Sequence, residues 1–138
     1  MLSGVGGTIP AHCSGLGRAI LAWSDVSAFD AVVSEGLRQR TPRTITSPDA
    51  LRRELDAIPG RGLAFDEEEG NPGVNCIAAP IFDGRGNVVA ALSVTGHTAT
   101  VRPHHMGPAV RMAAAAASRA YSSRRWEVSR RLGGLRSQ

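Results

Sequence analysis

The sequence predicts one α/β domain in which a mainly antiparallel sheet is flanked by helices. Three observations carry that reading. The chain has 138 residues and weighs 14.5 kDa, enough for one core and too little for two. Its first half and its last third show apolar residues at helical spacing. Between them, residues 74–82 and 87–95 are two apolar runs joined by Asp83-Gly84-Arg85-Gly86, the signature of a hairpin.

The elements follow in order. Residues 1–10 are glycine-rich and end at Pro10. Ser14 can then cap a helix whose apolar positions are Leu16, Ala19, Ile20 and Trp23. Ser24 and Asp25 offer a second cap, with Val26, Phe29, Val32, Val33 and Leu37 as the apolar side and Gly36 near the stop. Ser47-Pro48 opens a third helix with a buried stripe of Leu51, Leu55 and Ile58, terminated by Pro59, Gly60 and Gly62. Residues 62–66 form a short strand that leads to the acidic loop Asp66 to Glu69. Residues 74–82 are apolar on both faces and so internal to the fold. The last helix begins near Pro108 and carries Met106, Val110, Ala113, Ala117 and Tyr121 inward.

The hairpin also implies geometry. With the turn centred between Gly84 and Arg85, Val74 opposes Thr95, Cys76 opposes Ser93 and Ala78 opposes Ala91. One face then gathers a thiol and two hydroxyls, Cys76, Ser93 and Thr95, in otherwise apolar surroundings. A second polar convergence is the helix entry His12-Cys13-Ser14-Gly15-Leu16-Gly17. Its first N–H groups have no internal acceptors, and its glycines let a ligand come close. It is neither a P-loop nor a complete dinucleotide fingerprint.

Charge is unevenly distributed. Residues 1–101 balance at −3, and residues 102–138 at +7. All sixteen basic residues are Arg. Residues 119–138 are therefore a basic C-terminal helix or tail. With only Tyr121 and Trp126 available for stacking, it reads as a solvated or oligomer-facing helix rather than a DNA reader. No apolar stretch approaches the ~18 residues of a membrane span. The N-terminus has no signal-peptide pattern. Cys13 and Cys76 form no metal spacing and suit a reducing cytoplasm. Neither a metal nor another cofactor is called for.

Three stretches carry a family resemblance: Pro10-Ala-His-Cys-Ser-Gly-Leu-Gly-Arg-Ala-Ile-Leu-Ala22, Arg61-Gly-Leu-Ala-Phe-Asp-Glu-Glu-Glu-Gly-Asn-Pro-Gly-Val-Asn-Cys-Ile-Ala-Ala-Pro-Ile81 and Val88-Val-Ala-Ala-Leu-Ser-Val-Thr-Gly96. Together they resemble the C-terminal effector-binding domain of the IclR family of bacterial transcriptional regulators. The resemblance implies a GAF-like domain over residues 1–138, lacking its first helix and strands. It would bind a small carboxylic or aromatic acid and form homodimers or homotetramers. DNA would be contacted only through a winged helix-turn-helix domain absent from this chain. The family's effector contacts fall on Gly15, Leu16, Asp66, Cys76, Ser93 and Thr95. Thr95 stands where a second Ser is common, and Cys13 where a small residue is usual.

Two alternatives remain at this level. An enzyme would use Cys76 as nucleophile or the acidic run as metal ligands, yet consecutive carboxylates cannot all face one centre and no His is spaced to serve Cys76. A redox sensor would use Cys13 and Cys76, and needs a depressed thiol pKa.

Overall fold

The computed structural model describes residues 8–133, with side chains to residue 123. A 3-10 turn at Ala11–Cys13 precedes α1 (Gly15–Leu21), α2 (Val26–Glu35) and α3 (Pro48–Arg61). Then come β1 (Ala64–Glu67), β2 (Val74–Phe82), β3 (Val88–His97) and α4 (Pro103–Gly133). The three strands pair antiparallel in the order β1-β2-β3.

Each of the first three helices is capped by the side chain the sequence offers. Ser14 accepts from Gly17 N–H, Asp25 from Ala28 N–H and Ser47 from Ala50 N–H. Gly62, left-handed at φ 70°, closes α3. The helix runs through Pro59 and Gly60 instead of ending there. A proline this close to the C-terminus forfeits only one late hydrogen bond. As a result β1 starts at Ala64, two residues later than expected.

Two cores lie on opposite faces of the sheet. One gathers Ala19 and Leu21 of α1, Leu51, Leu55 and Ile58 of α3, and Ala64 and Ala78 of the sheet. The other gathers Leu63, Ile77, Ala79, Val101, and Val110 and Ala114 of α4. β2 alternates between them, which is why it reads as apolar throughout.

The hairpin register differs from the expected one by two residues. Cys76 opposes Thr95, Ala78 opposes Ser93 and Pro80 opposes Ala91. The turn accounts for one residue: Asp83 O accepts from Gly86 N–H, and Gly86 is left-handed at φ 83°, giving a three-residue loop. Val89, left over between the Phe82–Val88 and Ile81–Ala90 pairs, accounts for the other. An even shift leaves every side chain on its expected face. Cys76, Ser93 and Thr95 therefore still share one.

α4 begins at Pro103, not Pro108, so Pro103 is its opening proline and Pro108 lies within it. Its inward stripe is Gly107, Val110 and Ala114; Ala113 and Tyr121 are exposed, and Met106 and Ala117 half-buried. An alanine run has no amphipathic contrast with which to fix the phase. Arg119 is exposed. The side chains of Arg124, Arg125, Arg130 and Arg131, and all of Arg136, lie outside the described residues.

Leu55, 2% exposed, lies in the first core between α1, α3 and the sheet. Leu55→Ala is expected to lower unfolding free energy by about 2–5 kcal/mol in urea titration.

Candidate functional site

The acidic loop after β1 is only partly solvated. Glu67 is exposed, whereas Asp66 is buried and Glu69 half-buried. What draws Glu69 in is Arg18 of α1, itself 1% exposed. The Arg18 guanidinium donates to Glu69 Oε2 at 2.5 Å and Oε1 at 3.2 Å, and to the Phe65 carbonyl at 2.6 Å. Such a two-pronged pair is strong and directional. Glu54, which also pairs with Arg61, stands 3.9 Å from Arg18. Nε of Arg18 is buried without a partner among the described residues.

The loop is tied twice more. Asp66 Oδ1 accepts from the N–H groups of Glu69 (2.8 Å) and Gly70 (3.3 Å). Thr41 and Thr44 hydroxyls donate to the carbonyls of Glu68 and Glu69, each at 2.6 Å. That brings Arg40 alongside, its Nε donating to Gly70 O at 3.2 Å. The chain passes close here: a Cβ on Gly70 would stand 2.7 Å from Cys13 O.

Between this loop, the start of α1 and the sheet lies a cavity of about 280 Å³. Five of the six sequence candidates line it: Leu16, Asp66, Cys76, Ser93 and Thr95. Gly15 does not, but it sets the wall. A Cβ there would lie 2.8 Å from Cys76 Sγ, so only glycine lets α1 rest this closely on β2. Asp66, Cys76 and Thr95 form one transverse row, because Asp66 pairs with Cys76 and Cys76 with Thr95. Val89 and Ala91, on the same strand as Ser93 and Thr95, are not on the wall. The bulge turns Val89 outward, and Ala91 packs into the first core.

Sequence reasoning missed two contributors. Arg40 lines the cavity from a loop with no local signal. Arg18 lies on the face that helical spacing assigns to solvent yet is buried, while Ile20, on the expected apolar face, is 40% exposed. His12, in the polar helix entry, is buried with Nε2 2.9 Å from Arg38 O, a structural contact away from the cavity wall.

Burial raises the Asp66 carboxyl above its ordinary 3.8, against the pull of its two N–H donors and Arg18. Burial likewise raises Glu69 above 4.5, outweighing Arg18. It also pushes the Cys13 thiol up, with Arg40 only partly opposing. That keeps Cys13 protonated and works against the redox reading. Among the described residues, no three His, Cys, Asp or Glu side chains converge as a metal site. No helix there is long and apolar enough to cross a membrane.

Comparison with known proteins agrees with this architecture. The family model for the bacterial transcriptional regulator IclR C-terminal domain matches residues 1–122. The chain belongs to the IclR family. It is 38% identical to the HTH-type transcriptional repressor AllR of Klebsiella pneumoniae over 104 residues, 75% of this chain and 38% of that one. The structure of the Thermotoga maritima IclR superposes with a TM-score of 0.74 at 31% identity, covering 81% of this chain and 47% of that one. The inducer-binding domain of Acinetobacter PobR, a double mutant in complex with 3-hydroxybenzoic acid, gives 0.73 at 29% identity, covering 80% and 68%. The chain spans about a third to two fifths of the length of the curated relatives it matches. These relatives are regulators, and the IclR C-terminal domain is a regulatory effector domain rather than a catalytic one.

Two outcomes are expected. Removing one partner of a buried ion pair strands the other, so Arg18→Ala should cost about 3–5 kcal/mol in denaturant titration. Raised carboxyl pKa values mean that the native state binds protons more readily than the unfolded chain. The associated stability is full below the ordinary values of 3.8 and 4.5 and is lost as pH rises through the folded ones. The melting temperature should therefore fall as pH rises from about 4, and Asp66→Asn should flatten that slope. Asp25, lowered by its bonds to Ser27 and Ala28, acts in the opposite sense and only below 3.8.

Proposed function

We propose that this cavity binds a small carboxylic or aromatic acid, and that its occupancy is the signal a longer IclR regulator uses to control transcription. One observation carries the reading. Ser93 and Thr95 meet Leu16, at the start of α1, and the Asp66–Cys76–Thr95 row across a single cavity. Two hydroxyls supply donors for a carboxylate. The start of α1, where Leu16 lines the cavity, adds unbonded N–H donors, since Gly17 and Arg18 N–H are already bound by Ser14. With seven residues, α1 contributes these donors more than a dipole. A volume near 280 Å³ suits a molecule of pyruvate to benzoate size. The complex of the PobR domain with 3-hydroxybenzoic acid supports the same class.

In this reading the parent protein acts in the cytoplasm as a homodimer or homotetramer. It contacts its operator through a winged helix-turn-helix domain and not through these residues. Ligand occupancy shifts the balance between assembled states.

Each hydroxyl lost leaves the ligand's carboxylate short of a donor, at about 1–3 kcal/mol. Ser93→Ala and Thr95→Val are each expected to weaken the best binder among pyruvate, benzoate and 3-hydroxybenzoate roughly tenfold, since 1.4 kcal/mol is a factor of ten. Calorimetry on the folded variants reads this directly. A best binder indifferent to both changes but sensitive to Arg119→Ala would move the site elsewhere.

A further inference from the structure

Two polar groups at the β1 end of the cavity have no part in holding a carboxylate at the β3 end. Asp66 is 7% exposed and lines the cavity, yet only its Oδ1 is engaged. Its Oδ2 meets no donor among the described residues. Oδ2 is accessible from the cavity that Asp66 lines, so a ligand that brings a donor can reach it. Arg40 stands beside it. Gly70 ties the two together, its N–H donating to Asp66 and its carbonyl accepting from Arg40 Nε. Both Nη groups of Arg40 are without an acceptor among the described residues. The segment is held by Thr41 and Thr44, so these donors are presented from a fixed support.

The hydroxyls of Ser93 and Thr95 lie at the opposite end. Asp66 and Thr95 sit on the outer strands of the three, two strand spacings or roughly 9–10 Å apart at the backbone. With side chains leaning in from both ends, a chain of four or five carbons spans the gap past Cys76 and Leu16.

Charge decides what the β1 end reads. Arg40 and Asp66 both line this end without pairing with each other, so a second carboxylate placed there gains Arg40 but faces the oxygen of Asp66. A neutral group that donates and accepts at once satisfies both. We propose that the cavity selects a short acid whose far end is a primary amide or hydroxyl over the dicarboxylate of the same length, with Asp66 accepting from that group and Arg40 donating to it. The inference rests on the effector reading above and names its ligand class.

Calorimetry on the whole chain with two matched pairs, succinate against succinamate and glutarate against glutaramate, tests it. Within a pair, one oxygen is exchanged for an NH₂. The amide of the better-fitting pair is expected to bind at least fivefold tighter than its diacid. Asp66→Asn keeps the oxygen that holds the loop and turns a donor toward the ligand, so the order should reverse. Arg40→Met should weaken the amide fivefold or more, while Ser93→Ala weakens both members of a pair alike. A diacid that binds as well as its amide, or an order unchanged in Asp66→Asn, overturns the inference. If pyruvate or benzoate binds with sensitivity to Ser93→Ala but neither pair does, this inference alone fails. If no acid binds at all, the effector reading fails and takes this one with it.

Discussion

The pairing of Arg18 with Glu69 is the constraint on which the rest of the architecture depends. Arg18 lies on α1 three residues after Gly15, and Glu69 follows Asp66 by three on the loop after β1. Binding one to the other fixes two walls of the cavity from behind, without either charge entering it. Desolvating a guanidinium is costly, and the Glu69 carboxylate, the Phe65 carbonyl and the nearby Glu54 together offset it. The same loop then orders Asp66 through its own N–H groups and draws in the Thr41–Thr44 segment, which carries Arg40. One buried cation thus organises residues from four separate parts of the chain.

Most of the fold was legible because its signals are local. Caps at Ser14, Asp25 and Ser47, the stripe Leu51–Leu55–Ile58 and the doubly apolar β2 all stand where the sequence places them. Prolines misled at two positions, since Pro59 and Pro108 sit near helix ends where one missing donor does little harm. The α4 phase was illegible for a different reason: consecutive alanines are equally content on either face.

The candidate site was legible by a more fragile route. The assumed two-residue turn and the missing bulge at Val89 were two errors of one residue each, and they added to an even number. Had only one occurred, Cys76 would have been placed facing away from Ser93 and Thr95. What the sequence could not show was charge placement. Helical periodicity treats Arg18 as a surface residue, and no spacing rule links Arg40 to Asp66. Both positions are set by contacts 25 or more residues apart in the chain, of the kind made between Thr44 and Glu69.

The cavity's position follows from where packing ends. The row Ala64–Ala78 lies beneath α1, and its small side chains let the helix come down onto the sheet. The next row, Asp66–Cys76–Thr95, is two residues or about 7 Å further along each strand. Gly15, the first residue of α1, rests against Cys76, so the helix layer stops at the second row and leaves its Thr95 end open. The chain before α1 passes close to the loop at Gly70, where Cys13 lies, and so closes the gap on that side. A packed core and an open polar pocket are therefore two consequences of one helix start. Extending α1 by a single turn toward its N-terminus would fill the space beside Cys76 that opens toward Thr95 and remove the pocket, with the core beneath Ala19 and Leu21 untouched.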